Sequence, residues 1–138
     1  MFSKILIPID LSNDDHAVEL IEKSSKLGNI SEIILLHVLE KIPEQVQDEF
    51  SDEFTDDEAD KAKQALNLIL SRANVTNDLV KVDVREGNSC EMIIEASQDY
   101  EVDLILLDSS RQGLEKYILG STATKVVKLA KCSVLVRR

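Results

Sequence analysis

The chain has 138 residues and a mass of 15.4 kDa, which fits a single domain spanning 1–138 with a core that needs neither metal nor disulfide. Hydrophobic residues make up 43% and charged residues 30%, with no tryptophan, so the composition is globular and the core aliphatic. A net charge of −10 and a pI of about 4.6 exclude nucleic acid as a main partner, because phosphate backbones are held by lysine and arginine patches.

The first apolar run, Ile5-Leu6-Ile7-Pro8-Ile9, is unbroken by polar residues and ends at Asp10, the pattern of a strand buried on both faces. Ser12 to Asp15 reads as a capping box with Ser12 at the N-cap, and Ala17, Leu20, Ile21, Ser24 and Leu27 follow at helical spacing until Gly28-Asn29 can stop the helix. A second continuous run, Ile33 to Leu39, is interrupted only by His37 and predicts a second buried strand. The acidic stretch Glu44 to Asp60 comes next, read as a solvated loop and first helical turn. Within it Thr55 to Glu58 forms another capping box, ahead of a helix whose apolar stripe is Ala62, Leu66, Ile69, Leu70 and Ala73.

Val80, Val82 and Val84 alternate with charged residues, which predicts a strand exposed on one side or near a sheet edge. Gly87 turns the chain into a third helix marked by Met92, Ile93, Ala96 and Tyr100. Leu104 to Leu107 is the fourth strand, Thr122 to Ala130 the fourth helix and Cys132 to Val136 the fifth strand. Cys90 and Cys132 lack CxxC spacing and are expected to be buried thiols in a reducing, cytoplasmic setting. No apolar run has the length of a signal sequence core or a membrane span, so no membrane partner is expected.

Five strands alternating with four helices make a doubly wound α/β domain, with a parallel sheet and helices on two faces. Ligands in such sheets sit beyond the carboxyl ends of the strands, where strand order reverses. That rule singles out Asp10, His37-Val38 and the segment from Asp108 onward. The step Gly120-Ser121-Thr122 into the last helix can present backbone N–H groups to a phosphate. His16 and His37 have no metal-ligand spacing and read as surface or packing residues; no residue is assigned a catalytic or metal-binding role. Lys116, Lys125, Lys128 and Lys131 place positive charge near the last helix.

The ordered set Ile5 to Asp10 with Ser12, Ile34 to Val38, Gly87 before a helix, Asp103-Leu104-Ile105, Gly120-Ser121 and Val134-Leu135-Val136 resembles the universal stress protein family from end to end. The resemblance implies a Rossmann-like five-stranded sheet of order 3-2-1-4-5 and a homodimer formed through the C-terminal strand, Ser133, Val134, Leu135 and Val136. Many family members bind ATP through G-x2-G-x9-G-[ST]. Here Gly120 and Ser121 match its end, while the two earlier glycine positions fall on Leu107 and Ser110 counted backward, or on Asp108 counted forward through a loop one residue shorter. By the same resemblance Pro8, Ile9 and Asp10 lie against the adenosine end, Val38 packs near the adenine, and Gly120, Ser121 and Thr122 face phosphate. A Cβ in a phosphate loop obstructs close ligand approach, and the Asp108 carboxylate repels a triphosphate unless a cation such as Mg2+, helped by Asp10 and Asp108, bridges them. Two functions follow as expectations. One is a stress-linked regulatory or interaction protein with a degenerate nucleotide loop. The other is an ATP- or AMP-binding switch with at most slow ATP hydrolysis.

Overall fold

The computed structural model describes residues 1–40, 56–108 and 120–137. Its five strands form one parallel sheet. They are β1 (Lys4–Pro8), β2 (Glu32–Glu40), β3 (Val80–Gly87), β4 (Leu104–Asp108) and β5 (Ser133–Arg137). The order is β3-β2-β1-β4-β5, as the resemblance implies. The helices are α1 (Asp14–Ser24), α2 (Asp56–Arg72), α3 (Ser89–Asp99) and α4 (Ser121–Leu129), with a short 3-10 turn at Asn77–Leu79 leading into β3.

Period-two side-chain alternation divides the central strands between two cores. Ile5, Ile7, Ile33, Leu35, Leu104 and Leu106 pack on one face under α1 and α2, whose Leu20, Ile21, Leu66 and Ile69 are buried against them. Leu6, Ile34, Leu36, Ile105 and Leu107 pack on the other face under α3 and α4, against Ile93, Ala96, Ala123 and Val126. Fully burying a leucine or isoleucine side chain contributes about 1.5–3 kcal/mol, so these two aliphatic layers are the main source of cohesion. Val80, Val82 and Val84 are only partly buried, because β3 lies at the sheet edge with a single strand neighbour.

The ladders differ in length in a way that shapes the molecule. β1 pairs with β2 over five positions, Lys4↔Glu32 to Pro8↔Leu36. With β4 it pairs only at Ile5↔Leu104 and Leu6↔Ile105. Beyond Leu6 the two strands no longer pair, and the seam where strand order reverses is open at its carboxyl end. The amino end of the same seam is clipped by Asp103, whose carboxylate accepts from Ser3 N (2.9 Å), Ser3 Oγ (3.0 Å) and Lys4 N (3.1 Å).

Local chemistry sets the helix ends. The N-cap of α1 is Asn13, not Ser12: Asn13 Oδ1 accepts from His16 N at 3.2 Å, while Ser12 N is taken up by Asp10 Oδ1 at 2.9 Å in an Asx turn. The helix ends at Ser24, ahead of Gly28, whose added Cβ would meet the Phe2 carbonyl oxygen at 2.7 Å. Glycine is there for close approach rather than as a helix stop. At α3 the N-cap is Asn88, and the helix closes in a Schellman motif, with Glu101 N bonded to Gln98 O and Val102 N to Ser97 O. Glu101 stands in the left-handed position at φ 52°, where glycine is the common choice. Gly87, at φ 147°, makes the turn out of β3 that its sequence position predicts. Helix α4 begins at Ser121, one residue earlier than its periodicity suggests, and β5 begins at Ser133. Thr55 and the acidic residues up to Glu53 lie outside the described residues.

Candidate functional site

A cleft of about 940 Å³ opens at the carboxyl ends of β1, β2 and β4, above the unpaired half of the β1–β4 seam. The volume is at the upper end of the range for small-molecule and cofactor sites. Its walls come from three strand ends and the starts of three helices. The end of β1 and its turn supply Pro8, Ile9 and Asp10; the end of β2 supplies His37, Val38 and Glu40; β4 supplies Leu107 and Asp108. The first turn of α1 adds Asn13 and His16, α3 adds Ser89, and the start of α4 adds Gly120 and Thr122.

Of the residues singled out by the sequence, Pro8, Ile9, Asp10, Val38, Leu107, Asp108, Gly120 and Thr122 therefore share one cleft. Ser121 does not line it: it is the exposed first residue of α4. Ser110 lies outside the described residues, as does Lys116. Lys125, Lys128 and Lys131 are not among the lining residues, so the positive charge expected from the last helix does not reach the cleft wall. They follow the first turn of α4, and the two within the helix are exposed along it, away from the end that abuts the strands.

Both histidines are drawn in. His16 Nδ1 stands 3.6 Å from Asp108 Oδ2, with side chains 39% and 20% exposed, linking the start of α1 to the end of β4 across the open seam. His37 Nδ1 lies 2.9 Å from the Ile9 carbonyl oxygen. A carbonyl can only accept, so Nδ1 carries the hydrogen of this bond. The sequence carries one usable signal for His16: it falls in the first turn of a helix that directly follows a strand, and that turn always starts at the carboxyl end of the sheet. Glu40 accepts a hydrogen bond from Ser89 Oγ at the far end of the cleft, beside the start of α3.

Gly120 is the N-cap of α4 with φ −59° and ψ 156°, a conformation open to any residue, and no side chain caps this helix. Its carbonyl accepts from Thr124 N at 2.9 Å and Thr124 Oγ1 at 3.0 Å, which secures the first turn. A Cβ added at Gly120 would meet nothing within 4 Å. Among the described residues nothing requires glycine here, and Gly120 itself lines the cleft. The uncapped first turn, carrying the positive end of the helix dipole, is left facing the same region.

Among the described residues, no three His, Cys, Asp or Glu side chains converge as a metal site. Asp10 and Asp108 both line the cleft, so any Mg2+ there would be held by one or two carboxylates together with ligand phosphates, the usual arrangement for that ion. Cys90 is buried, but Cys132 is only partly so, and burial still pushes its thiol up, away from the reactive thiolate. No described helix is long and apolar enough to cross a membrane.

Comparison with known proteins is consistent across sequence and structure. A model of the universal stress protein family matches residues 1–138. Universal stress protein A homolog 2 of Coxiella burnetii is 32% identical over 146 residues, covering 99% of this chain and 95% of its own. The solved structure of hypothetical protein MJ0577 superposes with a TM-score of 0.75 at 30% identity, over 100% of this chain and 98% of that one. The universal stress protein from Archaeoglobus fulgidus in complex with dAMP shares the fold, with a TM-score of 0.65 at 14% identity and coverage of 99% and 98%.

Proposed function

The chain belongs to the universal stress protein family, and from that premise we propose that it is a homodimeric, stress-linked regulatory protein whose cleft takes an adenine nucleotide. The observation that carries this reading is Gly120. It is a glycine with an ordinary backbone conformation and no described neighbour against its Cβ position, set in the cleft lining at a helix start that no side chain caps. Pro8 and Ile9 with Val38 and Leu107 supply apolar walls for a base and sugar, and Thr122 with the α4 N-terminus supplies donors for a phosphate. A family member of the same fold was crystallised with dAMP, which supports an adenine mononucleotide as the ligand class. No side chain is assigned a catalytic role.

The dimer rests on β5. It is the second edge of the sheet, it is apolar, and Leu135 remains 42% exposed, so its open backbone groups can pair with a second copy. Asp108 favours a second reading, in which the cleft has lost nucleotide affinity and the protein acts through surface contacts alone, because its carboxylate lines the same cleft as the start of α4.

Isothermal titration of the full chain with adenosine, AMP and ATP separates the two. Saturable binding that disappears in Gly120→Val establishes the nucleotide reading. No heat from any adenine compound, with no copurified nucleotide in the purified protein, rejects it in favour of the second. Sedimentation of wild type against Leu135→Asp tests the dimer: conversion to monomer is expected, and an unchanged dimer would place the interface elsewhere.

A further inference from the structure

We propose that the cleft selects an adenine ligand of low charge, the nucleoside or a single-phosphate nucleotide, over the triphosphate, and that Asp108 is the residue that discriminates. This rests on the nucleotide reading above and narrows it.

The described lining holds three carboxylates, Asp10, Glu40 and Asp108, and two imidazoles, with no lysine or arginine. A polyphosphate site is ordinarily built the other way round, with cationic side chains on the phosphates. Within the fold Asp10 accepts from Ser12 N, Glu40 accepts from the Ser89 hydroxyl, and Asp108 is approached by His16. Asp108 differs in position. It ends β4, on the opposite side of the open seam from Asp10, and shares the cleft with Gly120 and Thr122 at the start of α4. A phosphate drawn to that helix start therefore approaches the Asp108 carboxylate. Among the described cleft residues, His16 stands beside Asp108, with Nδ1 3.6 Å from its carboxylate.

The opposing charges can be weighed. A helix N-terminus presents the equivalent of about half a positive charge, effective within its first turn. Asp108 presents a full negative one in the same cleft. One phosphate can sit against the uncapped turn of α4 with its charge partly balanced. Each further phosphate adds charge with no cationic residue in the described lining to meet it, so repulsion from Asp108, and at longer range from Asp10 and Glu40, grows along the series adenosine, cyclic AMP, AMP, ATP.

The test is a titration of that series into the full wild-type chain at low ionic strength without divalent cations, repeated on Asp108→Asn. ATP is expected to bind at least about tenfold more weakly than AMP, and the isosteric Asn to narrow that gap by about fivefold. Added salt should also narrow it, through screening of the same repulsion. Wild-type protein that binds ATP as tightly as AMP overturns the proposal while leaving the nucleotide reading intact. An Asp108→Asn variant with the wild-type AMP-to-ATP ratio overturns the role of Asp108. Absence of binding by every member of the series overturns both readings together.

Discussion

Asp103→Asn tests the account of how the central seam is held. The carboxylate accepts three hydrogen bonds from the start of β1, from Ser3 N, Ser3 Oγ and Lys4 N, and so ties that strand to β4, with which it shares only two ladder positions. Asparagine keeps the shape but has one accepting oxygen, and it turns an NH2 toward a remaining N–H. Hydrogen bonds to a charged group contribute about 1.5–3 kcal/mol when buried, but the site is partly solvent-accessible, so a discounted loss of about 1–2 kcal/mol is expected. With an unfolding entropy near 2.1 cal/mol/K per residue, this corresponds to a drop of about 3–7 °C in Tm for a chain of this length.

The pH dependence is the sharper check. Partial burial acts to raise the pKa of Asp103, but the hydrogen bonds from Ser3 and Lys4 outweigh it and hold the carboxyl below the usual aspartate range. The folded pKa lies below the unfolded one, so the contribution is complete above the ordinary aspartate pKa of about 4 and is lost as pH falls through the folded value. Urea denaturation of wild type and variant at neutral pH and near pH 3 should show the stability gap closing in acid. A gap of the same size at both pH values, or none at neutral pH, would refute the assignment of these bonds. Ligand affinity should not change, because the clip is at the opposite end of the strands from the cleft.

Four other variants probe backbone conformation and packing. Glu101→Gly should stabilise the protein by about 0.5–1 kcal/mol in the same assay, since relief of the left-handed strain exceeds the entropy glycine adds to the unfolded chain. Gly28→Ala should destabilise by about 1–3 kcal/mol, because its Cβ would press on the Phe2 carbonyl oxygen, whereas Gly120→Ala, which meets nothing, should leave Tm within about 2 °C of wild type. Leu66→Ala, in the fully buried stripe of α2, should cost about 2–5 kcal/mol by chemical denaturation, and a smaller loss would mean the core collapses around the gap.

The strands and helices were legible because their apolar runs report burial directly. Ile5 to Ile9 and Ile33 to Leu36 are continuous where both faces are covered, and Val80, Val82 and Val84 alternate where the strand is at the edge. Helix ends were less legible. Ser12 and Asn13 are adjacent and both competent caps, and the choice fell to Asn13 because Asp10 engages Ser12 N, a contact between neighbours that composition does not rank. The cleft was legible as a place, since topology puts Asp10, Val38 and Asp108 at one end of the sheet. Its electrostatics were not. The approach of His16 to Asp108 and the absence of Lys125, Lys128 and Lys131 from the wall depend on helix rotation and on residues nearly a hundred positions apart. The brevity of the β1–β4 ladder is likewise invisible in two apolar runs of ordinary length.

That brevity has a consequence for how such a cleft can change. Past Leu6 and Ile105 the two sides of the seam are joined by side-chain packing, notably around Ile7 and Leu106, which lie in the same core layer. Backbone hydrogen bonds fix a distance between strands; packed aliphatic groups set one that follows their volume. The width of the opening is thus written partly in the interior, and exchanges among valine, leucine and isoleucine beneath the floor can adjust which ligand fits while every residue that touches it stays the same.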